Sequence, residues 1–187
     1  IGHFLLEAKE HGYPVNADVL ELWSKYQTRV SKEWRAPRNS SNQELTDLAQ
    51  AYRLFTLAKF GKPELGSMNR LRESKTMSNQ SIWFLAAAYK LAGKPEACDQ
   101  LTAGAAVVPT MRSGYWYYGS DMRDQALIIE SMIASGKRKE ATKLVIELAR
   151  KMNTASYYNT QETAFSLIAI SSFLEGEKAG NTLYSYS

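Results

Sequence analysis

The feature that most restricts this chain is the alternation of two kinds of helical segment. The first kind is apolar on most sides: residues 4–8, 45–60, 82–92, 126–134 and 164–174. The second kind carries one apolar stripe. Val19, Leu22, Trp23, Tyr26, Val30 and Trp34 recur every three or four residues, as do Leu65, Met68 and Leu71, and again Ala141, Leu144, Val145, Leu148 and Met152. A helix that is apolar all round must be enclosed by others, whereas a striped helix covers something and turns its other side to water. The alternation therefore predicts an all-α fold of helical hairpins with inner and outer layers, arranged as a solenoid or as a ring closed on itself. The segments are long and rich in Ala, Leu, Glu, Lys and Gln, and none reads as a strand.

Glycine and proline punctuate these segments at Gly12-Tyr13-Pro14, Gly61-Lys62-Pro63, Gly93-Lys94-Pro95 and Gly136-Lys137-Arg138. A glycine just past a helix supplies a left-handed cap, and a proline soon after opens the next element. The glycine marks are separated by 49, 32 and 43 residues. A tetratricopeptide array would keep a period of about 34; residues 85–101 look like one such unit, but their neighbours do not hold the spacing. Irregular hairpins favour an α/α toroid. Helix starts are equally marked. Ser41-Asn42-Gln43-Glu44 and Asn159-Thr160-Gln161-Glu162 both fit a capping box, and Ser78 and Ser120 stand where N-caps belong.

The 187 residues suffice for one domain with a sizeable core. The net charge of +4 is too small and too evenly spread to argue for nucleic acid. The densest basic run, Lys137-Arg138-Lys139 with Lys143, reads as a solvated helix start. The lone cysteine, Cys98, reads as a small, partly buried residue of an outer helix. No apolar run approaches the roughly 20 residues of a membrane span, so no membrane contact is expected of this segment. The opening residues "IGHFLLEAKEHG" read as the end of a helix, which makes the chain, by expectation, a piece of a longer protein and its ring incomplete. Residues 1–175 are expected to form the helical domain, and 176–187 a polar tail leading to the next one.

Catalytic signals are weak. His3 and His11 lie eight residues apart with Glu7 between them, not in the four-residue spacing of a zinc-binding HEXXH helix; no metal or other cofactor is expected. No nucleophile elbow or phosphate loop is present. Asp121 and Asp124 open one helix and Glu162 another, and paired carboxylates at one end of a ring would suit glycoside hydrolysis. Acids are also favoured at helix starts by the helix dipole, and Arg123 offers a structural partner. The loop 107–120 is longer than the others and gathers Tyr115, Trp116, Tyr117 and Tyr118, either as a binding surface or as a lid burying aromatic area.

Two segments, "YGSDMRDQALIIESMIASGKRKEA" (118–141) and "NTQETAFSLIAISSF" (159–173), resemble the bacterial alpha-2-macroglobulin family. Residues 3–15, 51–73 and 77–97 look similar in the same order, so the likeness runs over most of 1–175. It implies the later part of the thioester-type domain, an α/α toroid, followed by β-rich domains. It also implies a role in broad-range endopeptidase inhibition, in which a protease cuts a bait segment and is trapped as the large molecule rearranges. Many members bond the protease through a Cys–Gln thioester that is shielded from water until the conformational change. That motif needs Gln three residues after Cys; here Gln100 follows Cys98 by two, so no thioester is assigned to these residues. The implied partners are proteases and the neighbouring β-rich domains, the implied location is the periplasm or cell envelope with a possible lipid anchor, and the implied role is not enzymatic. Tyr115, Trp116, Tyr117, Tyr118, Asp121, Asp124 and Gln161 are the candidate contacts. The alternatives are a tetratricopeptide-like scaffold for protein–protein interaction and an α/α-barrel glycosidase-type enzyme.

Overall fold

Gly12, Gly61, Gly93 and Gly136 adopt φ of +80°, +77°, +71° and +80°, and each closes a helix. At Gly93, for example, its own N–H reaches the Lys90 carbonyl at 3.1 Å and the Lys94 N–H reaches that of Tyr89 at 2.9 Å. This is a left-handed cap that satisfies two carbonyls the helix leaves open. The structure, a computed structural model, describes residues 1–36, 43–75, 77–110, 120–154 and 158–178. All regular structure among them is helical: α1 Gly2–Glu10, α2 Ala17–Glu33, α3 Gln43–Lys59, α4 Leu65–Arg72, α5 Asn79–Leu91, α6 Pro95–Thr102, α7 Asp121–Ala134, α8 Arg138–Thr154 and α9 Thr160–Lys178. The four glycines join α1 to α2, α3 to α4, α5 to α6 and α7 to α8, so the hairpins expected from the punctuation are present. No helix of the described residues is long and apolar enough to cross a membrane. The contacts divide the chain into two compact units, Ile1–Ala105 and Ala106–Ser187.

In the first unit α3 and α5 pack on one another at the centre, with α1, α2 and α4 against α3 and with α4 and α6 against α5. Leu54, Phe55, Leu57, Phe84 and Leu85 of the central pair are sealed from water together with Met68 and Leu71 of α4. Phe84 meets Tyr52 edge-on at 5.2 Å and Phe55 at 5.1 Å, in the tilted geometries that ring quadrupoles favour. Cys98, expected to be partly buried, is fully enclosed on α6.

Two readings of the helices need correction, one of a striped helix and one of a helix read as apolar on most sides. The period of α2 is right but its phase is wrong: the buried line is Leu20, Ser24 and Ser31, while Val19, Leu22 and Tyr26 face outward. The helix is turned by roughly a quarter of a turn from the apolar stripe. The reason is polar. The Ser31 carbonyl accepts from Gln50 Nε2 at 3.0 Å and from Ser67 Oγ at 2.9 Å, and Arg53 Nε donates to Gln27 Oε1 at 2.9 Å. Small serines allow close approach, and these bonds fix the buried side. Likewise α1 buries only Gly2, His3 and Leu6, and Phe4 is exposed. Gly2 is required there, since a Cβ would lie 2.1 Å from the Trp23 ring of α2.

The second unit packs α7 against both α8 and α9, and α8 against α9. Its core is Ala126, Ile129, Val145, Leu148, Ala169 and Phe173, edged by Met122, Ile133, Leu144, Phe165 and Ile170. Arg138, at the start of α8, donates to the carbonyls of Phe173 and Ser172 and lies 5.5 Å over the Phe173 ring. Here too the sequence overstated burial. Helix α9 is apolar almost all round, yet Leu167 and Leu174 remain 55% and 49% exposed, because among the described residues of this unit only α7 and α8 pack against it.

Candidate functional site

The candidate residues within the described chain lie at the starts of α7 and α9. Ser120, extended at φ −143° and ψ 160°, caps α7 by accepting the Arg123 N–H at 3.2 Å. That places Arg123 and Asp124 in the first turn. Arg123 donates from Nε at 3.0 Å and from Nη2 at 2.6 Å to Asp124 Oδ1, and from Nη1 at 2.9 Å to Gln161 Oε1 on α9. Asp124 is buried and the Arg123 side chain nearly so. Of the three predicted residues that can be placed, Asp124 and Gln161 are thus brought together, with Arg123 as the link. Asp121 is exposed in the first turn of α7 and takes no part in the cluster. Tyr115, Trp116, Tyr117 and Tyr118 lie outside the described residues, as do residues 41 and 42 of the capping box at 41–44.

Glu162 is engaged by its own helix start. Asn159 Oδ1 accepts the Glu162 N–H at 2.9 Å, and Glu162 Oε2 accepts the Asn159 N–H at 2.9 Å. This reciprocal pair is the capping box read from the sequence. Asp124 and Glu162, the two acids a hydrolytic reading would use, therefore each have a structural partner. Their arrangement ties two helix starts into one polar rim.

A second polar cluster joins α1 to α3. His3 is buried, with Nδ1 2.8 Å from the Tyr52 hydroxyl and Nε2 3.1 Å from Glu7 Oε1. Lys59 Nζ reaches the same Glu7 oxygen and lies 3.3 Å from Glu10 Oε2. Burial raises the Glu7 pKa, but the hydrogen bonds and charges of His3 and Lys59 outweigh it and bring the group down from 4.5 to about 2. His11 turns to the Glu7 carbonyl instead, at 2.9 Å from Nδ1. Sequence reasoning placed His3 and Glu7 on one face but missed Tyr52 and Lys59, which stand 49 and 52 residues from their partners and carry no local signal.

The class this architecture defines is an all-α domain of paired helices with polar helix starts. No protein-family profile matches the chain, and no curated protein matches its sequence. Solved structures do. The chain is similar to a Salmonella alpha-2-macroglobulin reacted with methylamine, at a TM-score of 0.75 and 24% identity over 91% of its length. It is similar to a native Escherichia coli alpha-2-macroglobulin spanning domain MG7 to the C-terminus, at 0.75 and 22% over 91%. An E. coli alpha-2-macroglobulin activated by porcine elastase matches at 0.74 and 22% over 92%. The chain covers 12%, 28% and 16% of those chains respectively. It therefore has the fold of one domain-sized part of the bacterial alpha-2-macroglobulins, consistent with the all-α toroid domain expected from the alternating helices.

Proposed function

We propose that the chain belongs to the bacterial alpha-2-macroglobulin family and serves as a conformational module of a protease inhibitor. The observation that supports this most is the shared fold, which takes in most of both units. Residues 1–175 would be part of the thioester-type domain and 176–187 the passage to a β-rich neighbour. The role is mechanical. Densely packed helical hairpins within each unit resist deformation when a bait segment elsewhere is cut. The helix starts at Asp121, Asp124 and Gln161 and the aromatic run 115–118 are the proposed contacts with neighbouring domains. The partners are proteases, met by the whole protein in the periplasm or cell envelope, where a lipid anchor would hold it.

The test uses the full-length protein that contains this chain. Incubated with trypsin, it should co-elute with the protease on size exclusion, and the captured enzyme should cleave a small chromogenic peptide but not a large protein. Trypsin that elutes alone with full activity on the large substrate would overturn the reading. Intact mass before and after methylamine then separates two modes. A gain of one methylamine places a thioester in the rest of the protein, and no gain means capture by shape and contact.

A further inference from the structure

The outward face of α2 is unlike the rest of its unit. Because the helix is rotated from its apolar stripe, Val19, Leu22 and Tyr26 form an exposed apolar row at helical spacing. Beside that row lies an open groove of about 440 Å³ lined by Ser24, Lys25, Thr28, Arg29, Lys32 and Lys62. Every charged residue of the lining is a cation. From 24 to 36 the chain carries Lys25, Arg29, Lys32 and Arg35 against one acid, Glu33. The side chains are spoken for only loosely. Arg29 meets Glu33 at 3.0 Å and lies 5.4 Å from the Tyr26 ring, Glu21 pairs with Lys62 at 2.5 Å and with Lys25 at 4.0 Å, and Lys62 also reaches Ser24 Oγ at 3.4 Å and lies 5.4 Å over the Phe60 ring, with the ion pairs exposed to water. Exposed pairs of this kind are weak and readily exchanged for an incoming carboxylate.

We infer that this face binds an acidic, amphipathic segment of a protein partner, with carboxylates over Lys25, Lys32 and Lys62 and aliphatic side chains on Leu22 and Tyr26. Two observations select this occupant. The groove is open, and its cations stand beside the exposed apolar row of Val19, Leu22 and Tyr26, which suits a segment that carries both carboxylates and aliphatic side chains. The acids Glu21 and Glu33 flank it, which opposes the continuous charge of a phosphate backbone but leaves room for spaced carboxylates. The inference is independent of the family reading: it rests on α2 and Lys62 alone.

The experiment is fluorescence anisotropy of a short fluorescein-labelled peptide of glutamate and leucine in helical spacing, titrated with the 187-residue chain. Saturable binding that weakens with salt is expected. Lys25→Glu/Arg29→Glu/Lys32→Glu should lose roughly tenfold or more in affinity, and Leu22→Ser/Tyr26→Ser should lose several-fold, while an all-glutamate peptide should bind more weakly than the leucine-bearing one. All five positions are solvent-facing, so circular dichroism should be unchanged. Should the triple reversal disturb α2, the neutral pair Lys25→Gln/Lys32→Gln and backbone amide shifts over 22–32 on adding peptide carry the test. No binding, binding indifferent to both sets of variants, or equal binding of the two peptides would overturn the proposal. So would tighter binding to phosphatidylserine vesicles or to a single-stranded oligonucleotide than to the peptide.

Discussion

Helices α5 and α9 look alike as sequences and differ as structures. Both are apolar on most sides. In α5 nine of the thirteen residues are buried, Phe84 and the run Ala86-Ala87-Ala88 completely. In α9 the buried positions among the described side chains are Ser166, Ala169 and Phe173, and Leu167 and Leu174 stand half in water. The difference lies in their neighbours. α5 has α3, α4 and α6 around it, and its alanines let those helices close in; among the described residues of its unit α9 has α7 and α8. Apolar composition states how much burial a helix can use, and the number of flanking helices decides how much it receives.

The largest effect separates these two helices directly. Phe84→Ala removes a ring in contact with Tyr52 and Phe55 and should cost about 3–5 kcal/mol. Leu167→Ala should stay within about 0.5 kcal/mol, as surface changes do. Urea unfolding followed by circular dichroism measures both. A cost for Leu167→Ala of the Phe84→Ala size would mean that the outer face of α9 is covered in solution, and would move the contrast from burial to partnership.

The next contrast is between the two polar clusters. At α7, Arg123→Met leaves the buried Asp124 without its guanidinium, which should cost about 3 kcal/mol. The double variant Arg123→Met/Asp124→Leu should recover most of that loss, because an apolar pair replaces a buried charge that has lost its guanidinium. If the double variant is no better than the single one, Arg123 holds the helix starts through Gln161 and not through Asp124.

At α1 the signature is pH. Glu7 titrates at about 2 when folded and near 4.5 otherwise, so the unfolded chain binds the proton first as acid is added. The stabilisation is complete above about pH 5 and is lost as pH falls through the folded value. The shift corresponds to at most about 3 kcal/mol, and about 2 after solvent screening of the cluster. Glu7→Gln should flatten the stability curve between pH 5 and 2 relative to the unaltered chain, a change that Arg123→Met should not reproduce.

What could be read in advance follows from range. Glycine caps, serine N-caps and the box at Asn159 need only residues within five of one another, and each is found as expected. The all-α class follows from periods of three and four. The phase of α2 was not legible, because it is set by Gln50 and Ser67 reaching the Ser31 carbonyl from 19 and 36 residues away. The same holds for the candidate rim. Asp124 and Gln161 could be named as polar helix starts, but that Arg123 joins them depends on α7 packing against α9.

The smallest effect returns to the start of α9, where a cap and a catalytic acid make opposite forecasts. Asn159→Ala removes the acceptor for the Glu162 N–H and should cost about 1 kcal/mol. Glu162→Gln keeps an oxygen facing the Asn159 N–H and should cost less than about 0.5 kcal/mol, since an amide serves in this box nearly as well as an acid. A hydrolytic site would invert that ranking in activity: the isosteric amide cannot donate or accept a proton as an acid does, so Glu162→Gln would abolish turnover while leaving stability intact. The reciprocal bonds of 2.9 Å give Glu162 Oε2 a structural role at the helix start. The expected outcome is therefore a graded loss of stability, Asn159→Ala before Glu162→Gln, with no hydrolysis of glycosides by the unaltered chain for either to remove.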